Sequence, residues 1–118
     1  MKPSLVKDKS YAFALRTIAL ARWLKEQKEF EIASQVLRSG TAIGSNVEEA
    51  LAGISRADFT AKMSIASKEA RETHYWLRLL RDSKLVPESR IAPLESDSLE
   101  LVRLLTAIVK TSQTGEAN

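Results

Sequence analysis

The sequence is poor in residues that interrupt helices and in residues that carry redox or metal chemistry. It has no cysteine, 4 glycines, 3 prolines and a single histidine among 118 residues. Without cysteine there is no disulfide framework and no thiolate nucleophile or metal ligand. Because glycine and proline are the strongest helix breakers, their scarcity favours a largely helical chain.

Long apolar runs are also absent. The longest uninterrupted run spans residues 11–15, whereas a membrane-spanning helix needs roughly 20 apolar residues. The N-terminal residues lack the apolar core of a secretory signal peptide. We therefore expect a cytoplasmic protein without a membrane partner. The length of 118 residues predicts a single domain over residues 1–118.

What the sequence does have is apolar residues at helical spacing in four segments. The pattern predicts helices over about residues 8–27, 31–52, 56–82 and 88–112. The short connections between them favour an all-α fold, an antiparallel up-and-down four-helix bundle. Ser55 is expected to cap the third helix, and Gly53 to end the second. Pro93 should either kink the first turns of the fourth helix or split off a short helix.

The third and fourth helices each carry a stripe of small and apolar residues that predicts their buried side. In the third helix the stripe is Phe59, Met63, Ala66, Ala70, Thr73, Leu77 and Leu80. In the fourth it is Leu94, Ser98, Leu101, Leu105 and Ile108. Steps of three and four residues place the members of each stripe on one helix face.

The first helix is apolar on two sides. One face holds Tyr11, Ala14, Ile18 and Ala21, and another holds Phe13, Leu20 and Leu24. A surface helix of a small bundle needs only one apolar stripe. A chain of this length has little material to cover a helix on both sides, so the pattern predicts a homo-oligomer. The alternative is a first helix that is covered within the monomer.

The second helix contains two glycines four residues apart, Gly40 and Gly44. Each costs about 1 kcal/mol relative to alanine in a helix interior. That cost indicates a position where another helix lies too close for a side chain. The sequence leaves open whether this neighbour belongs to the same subunit or to another.

Charge alternates in sign along the chain. Residues 1–28 carry seven basic and two acidic residues, a net +5. The next three segments, 29–53, 54–84 and 85–118, carry net charges of −3, +3 and −2. In an up-and-down bundle this pattern puts opposite charges on neighbouring helices, so complementary packing is the favoured interpretation of the basic balance.

Nucleic-acid binding is the second interpretation of the basic helices. The candidate contacts on the first and third helices are Arg16, Arg22, Lys25, Lys62, Lys68, Arg71 and Arg78. Trp23, Tyr75 and Trp76 lie among them and could stack on bases. Aromatic residues at helical spacing are more often part of a core or an interface.

Catalytic and metal-binding patterns are lacking. His74 has no further ligand at metal-binding spacing, since Arg71 and Ala70 lie three and four residues before it. Glu48 with Glu49, and Glu69 with Glu72, could act as acid and base, but such pairs are more often solvated or ion-paired. We therefore predict a non-enzymatic protein with no catalytic residues, no metal and no cofactor.

Several stretches together resemble one family. They are residues 10–16, 38–50, 57–59 and 68–77, including Arg38-Ser39-Gly40-Thr41-Ala42-Ile43-Gly44-Ser45-Asn46-Val47-Glu48-Glu49-Ala50. The family is the bacterial four-helix-bundle proteins named for open reading frames in 23S ribosomal RNA intervening sequences. The resemblance covers about residues 8–110. It implies a ring-shaped homopentamer with a central channel, and its genomic setting suggests RNA-related roles.

The family's polar signature falls on Asn46, Glu49, Glu69 and Glu72. With Gly40 and Gly44, we interpret these as helix-packing and assembly residues. Our leading hypothesis is an oligomeric interaction module that binds itself and whose further partner is RNA or DNA. The alternative is a protein-binding scaffold or accessory subunit with no nucleic-acid contact, and an enzyme is a distant third.

Overall fold

The structure, a computed structural model, describes residues 3–115, with side chains from residue 5 onward. Its four helices are α1 (Pro3–Glu26), α2 (Phe30–Leu51), α3 (Arg56–Asp82) and α4 (Glu88–Thr114). Each helix packs against the ones before and after it, and α1 also contacts α4. The described residues thus form an up-and-down four-helix bundle of about 46 × 20 × 18 Å. None of its helices is long and apolar enough to cross a membrane.

The bundle core is built from the predicted stripes. In α3 the residues of the stripe from Met63 to Leu80 are buried, and Phe59 packs partly buried against the core. All five predicted stripe residues of α4 are buried as well. From α1 the core takes Phe13, Leu20 and Leu24, as the second of its two apolar faces predicted. The predicted buried stripes of α3 and α4 are confirmed.

α1 begins earlier than predicted. It starts at Pro3 rather than near residue 8, because the first turns also contribute to the packing. Val6 is fully buried in the core cluster, and Ser10 is buried beside it. Burial of one valine gains about 1.5–3 kcal/mol, which supports the additional residues at the start of the helix. The single Val6 was too weak a periodic signal to extend the prediction.

The helix ends differ in how they are made. Ser55 caps α3 as predicted: its Oγ accepts a hydrogen bond from the backbone N–H of Asp58 at 3.1 Å. Gly53 follows the end of α2, as predicted, but without a left-handed backbone. A Cβ there would lie 3.2 Å from the Cβ of Asp58, so the glycine permits a close turn. Pro93 lies inside a continuous α4, so the second of the two predicted alternatives, a split into two helices, does not occur.

Two lysines take the left-handed conformation at the other end of the bundle. Lys28 has φ of 65° after α1, and Lys84 has φ of 61° after α3. After α1 the N–H of Glu29 donates to the Leu24 carbonyl at 2.9 Å, and the N–H of Lys28 donates to that of Lys25. This is a Schellman ending, which usually has glycine where Lys28 stands.

Candidate interaction surfaces

An ion-pair cluster joins α2 to α3. The Arg38 guanidinium donates from Nη1 to Oε1 of Glu69 at 3.3 Å, and from Nη2 to Oε2 of Glu72. The indole Nε1 of Trp76 donates to the same Glu72 oxygen at 3.1 Å. Glu69 is mostly buried and Glu72 is about one-third exposed, whereas the Arg38 side chain is half exposed, so solvent screens the cluster mainly from the arginine side.

The electrostatics of this cluster favour the charged carboxylate. The hydrogen bond from Trp76 and the neighbouring Arg38 lower the pKa of Glu72 below its usual value, against a smaller opposing effect of burial. Glu72 in turn raises the pKa of Arg38. Hydrogen bonds and an opposite charge both stabilise the ionised form. The cluster is therefore a permanently charged contact at neutral pH.

The remaining polar signature residues lie along α2. Glu49 pairs with Lys62 of α3 at 3.0 Å. The side-chain amide of Asn46 donates to the carbonyl of Ala42 in its own helix at 2.8 Å. The predicted packing role of Glu49 is thus visible within one subunit, whereas its role in assembly, and that of Asn46, stays a prediction.

The two mid-helix glycines lie against α1 of the same subunit. A Cβ at Gly40 would lie 2.7 Å from Oγ1 of Thr17 and 3.0 Å from its Cβ, which is too close. A Cβ at Gly44 would lie 3.5 Å from the carbonyl oxygen of Ser10, an ordinary van der Waals distance. The predicted close approach is therefore found at Gly40, within the bundle, and not at Gly44. Only Gly40 is required by it.

The outer faces of α1 and α3 are apolar and exposed. On α1, Tyr11 is 63% exposed and Leu15 54% exposed. On α3, Tyr75 is 47% exposed, and Ile65 and Leu79 are also exposed. Because α1 and α3 are not in contact and stand diagonally across the bundle, the two apolar faces point away from each other. We refer to Tyr11, Leu15 and the half-buried Ile18 as the α1 face, and to Ile65, Tyr75 and Leu79 as the α3 face.

Ion pairs link each helix to its neighbours, as the alternating charge predicted. Among the described residues, those between helices are Lys7–Glu48, Lys9–Glu100, Arg16–Asp97, Arg38–Glu69, Arg38–Glu72, Lys62–Glu49 and Arg81–Glu95. Every one joins two helices that pack together. Complementary packing is thus confirmed as one use of the basic residues.

Contacts of several kinds within the subunit engage four of the seven basic residues that were predicted to contact nucleic acid. Arg16 and Lys62 are in ion pairs across the bundle. Nη2 of Arg71 donates to Oγ1 of Thr106 at 2.8 Å, and the guanidinium of Arg78 lies 5.8 Å from the ring centre of Tyr75.

The other three predicted contacts differ from these. Arg22, Lys25 and Lys68 are exposed. In the described part of the chain, none of them has an acidic side chain within ion-pair distance. These three cations are therefore available to a partner of negative charge.

His74 bridges α3 and α4 through Ser98. The Ser98 hydroxyl donates to the carbonyl of Glu95 at 2.8 Å, so at 2.9 Å it accepts a hydrogen from Nδ1 of His74. Burial, together with Arg78 and Arg81, lowers the pKa of His74, and only Glu95 opposes this. Over residues 5–115 no three His, Cys, Asp or Glu side chains come close enough to hold a metal ion.

Sequence reasoning missed the acidic partners on α4. Asp97 and Glu100 pair with Arg16 and Lys9 of α1. Their charges were visible in the sequence, but the pairing depends on how α1 and α4 align, which local spacing does not give. The stacking of Arg90 on the ring of Trp23, 5.3 Å from its centre, had no comparable signal because it joins distant segments.

The fold and these surfaces define a helical-bundle protein of small size, without a visible catalytic centre in its described residues. Comparison with known proteins specifies the class. The family model of the 23S rRNA-intervening sequence proteins matches residues 2–107, and the chain belongs to this family. The comparison with curated proteins finds no match.

A solved structure is similar over nearly the whole chain. It is a crystal structure of a protein of unknown function from the S23 ribosomal protein family of Bacteroides thetaiotaomicron. Its sequence is 48% identical, the match covers 94% of this chain and 100% of that one, and the TM-score is 0.89. The family resemblance drawn from the sequence is therefore confirmed, and the fold with it.

Proposed function

We propose that this protein is a non-enzymatic interaction module that assembles into a ring-shaped homo-oligomer. The observation that carries the proposal is the pair of apolar faces, α1 and α3, exposed on opposite sides of one subunit. Exposed apolar patches of this kind mark interaction sites in soluble proteins. The family resemblance adds the number five, a homopentamer.

The placement of the two faces favours a ring over a two-fold dimer. In a two-fold dimer the same patch meets itself, and the second face would stay exposed. When the α1 face of one copy meets the α3 face of the next, both are covered in every copy. Such head-to-tail contacts close into a ring if the rotation between copies allows it.

Charge placed on one face tests the assembly. Leu15→Glu puts a carboxylate into the centre of the α1 face, so we expect it to convert the oligomer to monomer in light scattering. Ala107→Glu adds the same charge at an exposed position of α4, outside both faces, and should leave the mass unchanged. An oligomer that survives Leu15→Glu would refute the role of the α1 face.

The absence of an enzymatic role is supported by the state of the candidate groups. Glu69 and Glu72 are held by Arg38. Ser98, which contacts the lone histidine, is fully buried and its hydroxyl hydrogen is committed to a carbonyl. A general base needs to reach a substrate proton, and a nucleophile needs an accessible oxygen. Ser98 is inaccessible, and Arg38 competes with any substrate for Glu69 and Glu72.

Binding of RNA or DNA is the second candidate function. It is supported by the family's name and by the exposed Arg22, Lys25 and Lys68, which have no ion-pair partner within residues 5–115. A ring would repeat the three cations in every copy, and phosphate affinity rises steeply with the number of contacts. The alternative is a protein-binding scaffold without nucleic-acid contact, supported by the four candidate cations that are engaged within the subunit.

Salt dependence separates the two alternatives. Fluorescence anisotropy with a structured RNA should show affinity that falls as salt rises if phosphates are contacted. Lys25→Ala should reduce both the affinity and the salt slope, while Lys9→Ala, whose side chain pairs with Glu100, should do so less. No binding at low salt would support the scaffold instead.

A further inference from the structure

A shallow groove between α1 and α2 is left empty by the chain itself. Its volume is about 420 Å³, and its lining is Tyr11, Ala14, Thr41, Gly44, Ser45 and Glu48. The groove exists because Gly44 has no side chain and Ala14 has only a methyl group. Since a Cβ at Gly44 would meet only ordinary contacts, the fold of the subunit does not require a glycine there. The missing side chain leaves room for something outside the subunit.

Two contacts between α2 and α3 show which residues of α3 lie at the same height along the bundle axis as the groove. Two ion pairs cross between these helices: Arg38–Glu69 and Glu49–Lys62. On α2, Gly44 lies midway between the two pairs. On the antiparallel α3, Ile65 lies midway between the same two pairs. Ile65 of the α3 face and the groove at Gly44 are therefore at the same height on different sides of the bundle.

We propose that Ile65 of the next copy of the chain inserts into this groove. The inference rests on the proposed oligomer and specifies its contact. A groove and an exposed apolar side chain at one height meet when the neighbouring copy is related by rotation about an axis along the bundle. Such a rotation changes the direction of a subunit but not its height, so every copy can receive and supply one Ile65.

Charge complementarity supports the same register. Glu48 lies one turn after Gly44 on α2, and Lys62 lies one turn before Ile65 on α3. Because the helices are antiparallel, both are displaced toward the same end of the bundle. With Ile65 in the groove, Lys62 of the next copy comes to the height of Glu48; its side chain pairs with Glu49 in its own subunit, is 38% exposed, and would bridge the two carboxylates. Glu48 is half exposed, and among the described residues of its own subunit it has only Lys7, at 3.9 Å, as an ion-pair partner. Such rim charges fix register more than affinity.

Disulfide cross-linking tests this contact, because the natural chain has no cysteine. One version of the protein carries Ser45→Cys in the groove lining, and another carries Ile65→Cys. Co-expressed and mildly oxidised, the two should give a dimer band on a non-reducing gel, and each version alone should give none. Replacing Ile65→Cys by Ala107→Cys, exposed on α4, should abolish the mixed dimer.

The outcomes separate this inference from the proposed oligomer. An oligomer in light scattering without the mixed cross-link would overturn the inference and leave the proposed function standing. A dimer of the Ser45→Cys version alone would indicate a two-fold contact and overturn both the register and the ring. A monomer for the unmodified protein would contradict the proposed function itself.

Filling the groove gives a second test that does not depend on oxidation. Gly44→Leu should raise the dissociation constant of the oligomer at least tenfold, because its side chain occupies the space of Ile65. Gly44→Ala adds one methyl group and is expected to have a smaller effect. Circular dichroism should show full helical content in both variants. An unchanged dissociation constant for Gly44→Leu in a folded protein would overturn the inference.

Discussion

Thr17 of α1 fills the space that a side chain at Gly40 of α2 would need. We therefore expect overpacking in Gly40→Ala to lower the free energy of unfolding by about 1–3 kcal/mol. The higher helix propensity of alanine offsets about 1 kcal/mol of this loss. Gly44→Ala, four residues on, should be neutral or stabilising in the subunit, since its Cβ would make only ordinary contacts. Urea unfolding of both variants measures the difference. Equal stabilities would contradict the assignment of the close approach to Gly40.

A compensating change in α1 sharpens this prediction. Thr17→Ala removes Oγ1 and Cγ2, the two side-chain atoms beyond its Cβ, so it should recover part of the loss caused by Gly40→Ala. It also removes the hydrogen bond from the Thr17 hydroxyl to the Phe13 carbonyl, which is 2.9 Å long. We therefore expect the double variant to be more stable than the sum of the two single losses predicts. Strict additivity would mean that the two positions do not interact.

The left-handed Lys28 at the end of α1 predicts a stabilising substitution. A non-glycine residue in this conformation costs roughly 1–2 kcal/mol, whereas glycine adopts it freely. Part of the gain is offset because glycine loses more conformational freedom on folding, so Lys28→Gly should stabilise by up to about 1 kcal/mol. Lys25→Gly, inside the same helix end, should instead destabilise. The melting temperatures of the two variants should move in opposite directions.

The pKa of His74 predicts a loss of stability on acidification. Because its folded pKa is below the ordinary value of 6.5, the neutral imidazole is the form that the fold favours. Its contribution is complete above pH 6.5 and is lost as the pH falls through 6.5 toward the folded pKa. As the only histidine, it gives an unambiguous NMR titration. In a His74→Gln variant the stability should change less over this range, and a titration midpoint above 6.5 would contradict the assignment.

The pKa of Glu72 predicts a separate effect at lower pH. Its folded pKa is depressed below 4.5, first by the hydrogen bond from Trp76, so its contribution is present above pH 4.5 and lost as the pH falls through the folded pKa. Trp76→Phe removes that hydrogen bond but keeps an aromatic ring. It should raise the pKa of Glu72 and move acid unfolding to higher pH. Trp23→Phe serves as the control, and an equal shift in both variants would rule out the Glu72 contact as the cause.

Much of the fold could be predicted from the sequence because it follows from local periodicity. Steps of three and four residues located the buried stripes of α3 and α4, and the Ser55 cap was visible from its spacing to Asp58. Helix ends that are set by backbone conformation or by tertiary packing were harder to predict from the sequence. Lys28 ends α1 in a conformation that usually signals itself by glycine, and the early start of α1 depends on the burial of Val6 in the core.

The candidate surfaces were predictable only in part. The sequence indicated that α1 has two apolar sides, and Gly40 and Gly44 marked a close approach. It could not distinguish the glycine that the fold requires from the one that leaves a groove, because the difference depends on which atoms of α1 lie opposite. Likewise, the charge of Arg16 was visible, but its pairing with Asp97 depends on how α1 and α4 align.

The central claim is that this chain works as an assembly of identical subunits. Light scattering of the unmodified protein over nanomolar to micromolar concentrations tests it most directly. A subunit has a mass of 13.1 kDa, so we predict a single species of several times that mass at micromolar concentration. A homopentamer would give roughly 65 kDa, since the assembled mass scales with subunit number. A monodisperse 13.1 kDa monomer at micromolar concentration would contradict the account.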